Sequence, residues 1–161
     1  MSQENVEVCR RAFGFLDRLD PWAGVEALLQ YADPEIVLES AIVSGAEGNA
    51  YRGHEGLRAW AADSEAAFDE LRTASDEFRD LGDRVLMLGR VFGRGRGSGI
   101  PIESEIAFLS TLRGGRIVQT KGFLRVVQHR AKLVELSLEG LLALPRGGLQ
   151  LLLVLLTIPC A

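Results

Sequence analysis

The chain has 161 residues, 47% of them hydrophobic and 25% charged, and a formal net charge of −4. These are the proportions of one globular domain with a sizeable core, and they argue against disorder or a fibre. The acidic balance also argues against a nucleic-acid or anionic-membrane partner, since either needs a clustered basic face.

Three further features narrow the class. The local basic run Arg90–Arg96 carries three arginines among glycines and reads as a hairpin loop. Cys9 and Cys160 stand near opposite ends without metal or redox spacing, so neither a disulfide framework nor a zinc site is expected, and no cofactor is implied. The start of the chain, MSQENVEVCRRAF, is polar and lacks the apolar run of a secretory leader, which makes a cytoplasmic location the expectation.

From the N-terminus, residues 3–19 place Val6, Cys9, Ala12, Phe13 and Leu16 at three- and four-residue steps, the stripe of an amphipathic helix that Ser2 can cap. Asp20-Pro21 opens a second helix whose buried face is Val25, Leu28 and Leu29, ended by Ala32-Asp33-Pro34. Residues 35–41, β-branched at Ile36 and Val37, predict the first strand, and a Gly/Ser/Asn-rich loop follows through Asn49. A third helix is expected over 54–68, with Leu57, Trp60, Ala61, Ser64 and Phe68 at helical spacing.

Beyond it the period changes to alternation. Strands are predicted at 71–79, 84–92, 102–112 and 116–124, separated by turn signals at Leu81-Gly82-Asp83, Gly93–Gly99 and Gly114-Gly115. The fold class is therefore α+β: a curved antiparallel sheet and three N-terminal helices wrapped around one apolar pocket. This domain is taken as residues 1–127. Residues 128–161 are read as a C-terminal helix followed by an apolar run at 149–158. That run is about half of the roughly 20 apolar residues that span a bilayer, so it is expected to pack on protein, and no membrane partner is implied.

The element order, with the segments YADPEIVLES (residues 31–40), YRGHEGLRAW (51–60) and LSTLRGGRIVQTKGF (109–123), resembles the SnoaL-like branch of the nuclear transport factor 2-like superfamily. The likeness covers residues 3 to 125. It implies a cone-shaped α+β fold around an apolar cavity, frequently dimeric through the outer face of the sheet. Relatives include polyketide cyclases, ketosteroid isomerases, limonene-epoxide hydrolases and members that bind or scaffold without catalysis, so the likeness speaks for a fold more than for a reaction.

Residue by residue, the resemblance puts Glu39 at the position of the isomerase's first-strand general base, with Val37 and Glu39 facing the cavity. It puts Phe15 where the isomerase has a tyrosine and Phe108 where it has a protonated aspartate, and neither phenylalanine can donate to an oxyanion. The last strand reads Phe123-Leu124-Arg125, without the aspartate common there in cyclase-like members.

Two readings of Glu39 stand: a general base made basic by an apolar pocket, and a hydrated or arginine-paired carboxylate at the pocket mouth. Trp60 is expected in the cavity wall and Tyr51 at its rim. His54, at a helix start, is either a catalytic acid–base or a backbone-satisfying group, and Arg90 faces either the pocket or the surface. Glu103 and Glu105 are expected to point to solvent. The functions implied are a cofactor-independent isomerase, cyclase or hydrolase acting on a small apolar molecule, or a non-catalytic binder of one. A homodimer is expected through the face carrying Leu109 and Phe123.

Overall fold

The computed structural model describes residues 2–43 and 50–125. The helix and apolar run expected within 128–161, the boundary at 127 and most of the loop before Ala50 lie outside them. In chain order the elements are α1 (Ser2–Leu16), α2 (Pro21–Leu29), β1 (Ala32–Glu39), β2 (Ala50–Arg52), α3 (Gly53–Ala67), β3 (Phe68–Asp80), β4 (Arg84–Gly95), β5 (Pro101–Arg113) and β6 (Arg116–Arg125).

The strands form a six-stranded sheet in the order β2-β1-β6-β5-β4-β3, so it is curled but unclosed, with β2 and β3 at its edges. β3 to β6 are the expected antiparallel meander. Two features differ from the sequence reading. β1 runs parallel to β6, so the sheet is mixed, and the three-residue β2 pairs antiparallel with β1 in the interval between the expected loop and helix, where no strand was predicted. A strand reached from the far side of the helical layer can enter the sheet in either direction, and hydrophobic alternation carries no information on which.

β1 also starts at Ala32, three residues earlier than predicted. Pro34 has no N–H for the ladder, and the register with β6 breaks between Ala32 and Val37. The Ala32 carbonyl instead accepts from Arg116 Nη1 at 3.1 Å and lies 3.3 Å from His54 Nε2. Between β5 and β6, Gly114 (φ 57°) and Gly115 (φ 73°) supply the two positive-φ residues of a tight hairpin turn. Gly89 meets a different demand: a Cβ there would collide with the Ala74 carbonyl, beside the point where β3 shifts register between Ser75 and Glu77.

One face of the sheet carries the core. Cys9, Ala12, Phe13 and Leu16 of α1 and Leu57, Trp60 and Ala61 of α3 pack with Ile36, Leu38, Val85, Met87, Ile106, Phe108 and Ile117 from the strands. The corner between α1 and α2 is fastened to β3 by two carboxylates. Asp17 Oδ1 accepts from Thr73 Oγ1 (2.6 Å), Ser75 Oγ (3.0 Å) and Ser75 N (3.1 Å). Asp20, which precedes α2 as expected of a cap, makes no capping bond and accepts from Leu71 N at 2.8 Å. These bonds set the helices at a fixed place over the sheet.

Candidate functional site

Between the helices and the sheet lies a cavity of about 30 Å³. Its wall is built by Phe13 and Leu16 from α1, Leu28 from α2, Leu57 and Trp60 from α3, and Ala32, Ile36, Leu38, Phe108, Ile117 and Thr120 from the sheet. A second hollow of about 10 Å³ shares Leu16, Trp60 and Phe108 with it and reaches Pro21, Ile42, Leu71, Arg72 and Thr73. Those three shared side chains are the partition between the two. On this scale the larger hollow has room for a water molecule or two, and the smaller for about one.

The aromatic wall is held on several sides. Phe13 stacks on Phe108 with centroids 5.1 Å apart and 26° between planes, in the range that adds to plain area burial. The indole N–H of Trp60 donates to Ser40 Oγ at 3.2 Å, and Ser40 Oγ also accepts from Ile42 N at 3.2 Å. The single hydroxyl in the wall, that of Thr120, is 3.0 Å from Ser110 Oγ. Behind them Cys9 is fully buried, and burial pushes its thiol up to about 12, the Ser110 hydroxyl pulling it back only in part. A neutral thiol is therefore buried beside Ser110.

Of the seven residues singled out in the sequence, Trp60 and Phe108 line the cavity. Glu39 does not. Ile36 and Leu38 take the inward positions of β1, which is the reverse of the phase expected, and Glu39 shares the other face with β6. There its carboxylate lies 3.0 Å from Lys121 Nζ and accepts from Gln119 Nε2 at 3.2 Å. The cause is energetic: the inverted phase would bury an uncompensated carboxylate and expose two large aliphatic side chains. The general-base role thus has no geometry behind it, and the alternative reading is met only in that the carboxylate is paired: its partner is a lysine instead of an arginine, and it does not line the cavity.

Phe15 is likewise off the cavity. α1 turns Phe13 and Leu16 inward, leaving Phe15 against Tyr31 (6.2 Å between centroids) and beneath Arg18. Tyr51 donates to Asp63 Oδ2 at 2.8 Å, and burial followed by that carboxylate pushes its phenol up to about 12. His54 is engaged with the Ala32 carbonyl. Arg90 is on the surface, 3.7 Å from Asp76 and 3.9 Å from Glu103, with its guanidinium over Phe92. Glu103 is exposed, as expected.

Chemically, then, the cavity can exclude water from an apolar group and offer it one hydroxyl. Among the described residues no three His, Cys, Asp or Glu side chains gather as a metal site, and no helix is long and apolar enough to cross a membrane. Of the wall residues that the sequence reading did not assign to the site, Phe13, Leu16, Leu28 and Leu57 were already visible in the apolar stripes of their helices. Ser110 and Thr120 gave no such signal.

The profile of the SnoaL-like domain matches residues 11–120. No curated protein matches the chain. Among solved structures, a nuclear transport factor 2-like protein of unknown function from Burkholderia pseudomallei superposes with a TM-score of 0.66 at 19% identity, covering 76% of this chain and 91% of that one. TerC, crystallised with polyporic acid, gives 0.65 at 18% identity over 76% and 92%. A protein of ketosteroid isomerase-like fold from Catenulispora acidiphila, in complex with trimethylamine, gives 0.60 at 20% identity over 73% and 84%. At these identities the likeness is one of fold.

Proposed function

Since the chain belongs to the SnoaL-like domain family, we propose that it binds a small, largely apolar molecule in the cavity between α1, α3 and the sheet. The observation that carries this reading is the wall itself. Ten of its eleven residues are apolar, it is roofed by Trp60 and the Phe13–Phe108 stack, and it lies on the face of the sheet that the helices cover. Few convergent polar groups in an apolar concavity is the usual form of a small-molecule site. Two proteins of the same fold agree in kind, one crystallised with polyporic acid and another in complex with trimethylamine.

Binding rather than catalysis is the function this wall supports. Proton transfer to or from carbon needs an acid or base within about 3 Å of the reacting atom, and the cavity presents aliphatic and aromatic side chains with one hydroxyl. The present volume also sets a condition on the ligand. Anything larger than two waters enters by moving Leu16, Trp60 or Phe108, the partition whose displacement joins the two hollows into one.

The test is a thermal-shift screen of terpenoids, steroids and aromatic polyketides, polyporic acid included, on wild type and Glu39→Gln. Stabilisation of both proteins alike supports an interior site. A ligand or a turnover that depends on Glu39 would overturn the reading and return the function to the outer face of the sheet.

A further inference from the structure

A ligand of an interior cavity has to enter through the wall, and this wall is not equally thick all round. Ten of its eleven residues are buried, and Leu28 of α2 is the exception, half-buried while it lines the hollow and packs on the core. At Leu28 a single side chain therefore stands between the cavity and water. The smaller hollow reaches toward water at the half-buried Ile42 and the exposed Arg72, but Leu16, Trp60 and Phe108 separate those residues from the larger space.

What can move at that place is the side chain rather than the helix that carries it. α2 buries Pro21, Gly24, Val25 and Leu29. Just before its start Asp20 Oδ1 accepts from Leu71 N at 2.8 Å. Farther along, Glu26 accepts from Arg58 Nε at 2.6 Å and from Arg58 Nη2 at 3.1 Å, which ties α2 to α3 at two points. Swinging α2 outward would expose its buried face and break that pair, whereas turning Leu28 to another staggered rotamer gives up only part of the burial of one leucine. On the α3 side of the cavity Leu57 is 1% exposed, so it has no space on the solvent side to turn into.

We propose that Leu28 is the gate of the cavity: ligands enter and leave past its side chain, which turns outward while α2 stays fixed on α3 and β3. The inference rests on the cavity being the binding site and adds the route into it. Rotamer changes of a partly exposed side chain are fast, so the exchange of a small ligand is governed by how much Leu28 loses on turning.

The probe is xenon, which occupies dry apolar cavities and is smaller than two water molecules, so it fits without moving the partition. Its exchange with wild type, Leu28→Ala, Leu28→Phe, Leu38→Ala and Ile42→Ala is measured by xenon saturation-transfer NMR. The exchange rate should rise by about 3- to 10-fold in Leu28→Ala, because opening no longer takes part of a leucine out of its contacts. It should fall in Leu28→Phe. Leu38→Ala enlarges the same cavity at a buried position and Ile42→Ala thins the wall of the smaller hollow, and neither should speed exchange to the same extent. An unchanged rate in Leu28→Ala, or an equal rise in Leu38→Ala or Ile42→Ala, overturns the gate and leaves the cavity as the site. Absence of bound xenon in wild type overturns the cavity reading and this inference with it. Should Leu28→Ala not fold, exchange that is not slowed in Leu28→Phe is sufficient to refute the gate.

Discussion

Truncating Phe108 to alanine tests the interior from two directions at once. The ring is 3% exposed, stacks on Phe13 at 5.1 Å, approaches the place where a Gly122 Cβ would stand to within 3.0 Å, and separates the two hollows. Removing a buried phenyl group costs about 3–5 kcal/mol in lost transfer energy and residual void. For a chain of 161 residues, that lowers Tm by about 6–20 °C at roughly 2–4 °C per kcal/mol. The void left joins the hollows of about 10 and 30 Å³ into a dry apolar space on the scale that admits benzene. Benzene at ten times its Kd should then restore about 1.4 kcal/mol. The assay is a thermal melt of wild type and Phe108→Ala with and without benzene. A loss below about 1 kcal/mol, set against the 3–5 expected, or an equal benzene effect on both proteins, would refute the packing described.

Three other outcomes are expected. Glu39→Gln and Lys121→Met should each change stability by less than about 1 kcal/mol, because the pair is roughly one-third exposed on each side, and should leave cavity ligands bound; a tenfold loss of affinity in a ligand titration of Glu39→Gln would contradict the placement of that carboxylate. Cys9 ionises near 9.0 when unfolded and near 12 when folded, so above pH 9 the unfolded chain holds fewer protons than the folded one and stability falls as pH rises, by at most about 1.4 kcal/mol per unit. Urea melts between pH 9 and 12 should show a shallower decline for Cys9→Ala, and parallel curves would refute the buried thiol. Gly89→Ala forces its methyl onto the Ala74 carbonyl of an adjacent strand and should cost at least the ~1–3 kcal/mol of an overpacked core; a melt indistinguishable from wild type would show that β3 can move away at that point.

The architecture was legible because its signals are periodic. The stripe Cys9–Ala12–Phe13–Leu16 gave α1 and its buried face, Leu57–Trp60–Ala61 gave that of α3, and glycine-bearing turns separated four strands whose observed limits differ from those expected by at most three residues. The family resemblance pointed to the same fold, and the profile match bears it out. β2 is three residues long and stands against a helix start, so it had no room to show alternation.

The site was harder to read. In Ile36-Val37-Leu38-Glu39 three apolar residues stand in a row, so alternation alone fits either phase, and matching Glu39 to a catalytic position chose the one that burial forbids. Phe15 lies one turn-step off the stripe that the sequence itself displays, and aligning it with a catalytic tyrosine overrode that stripe. The Ser110–Thr120 pair was hidden by a register shift. Counting back from the turn at Gly114-Gly115 sets Ser110 opposite Gln119, and the irregularity between Thr111 and Leu112 moves it to Thr120. Leu109 and Phe123 do lie on the face away from the cavity, yet Leu109 is already buried within the chain. The homodimer therefore stands as a proposal from the family resemblance alone.

Methyl NMR shows whether ligands enter the space between the helices and the sheet. Selectively labelled Leu and Ile methyls are followed while the strongest hit of the thermal-shift screen is added. Shifts and ligand NOEs are expected at Leu16, Leu28, Ile36, Leu38, Leu57 and Ile117, the Leu and Ile residues of the cavity wall. Perturbations confined to Leu86, Leu88 and Leu109, on the opposite face of the sheet and outside the core cluster, would contradict entry into that space.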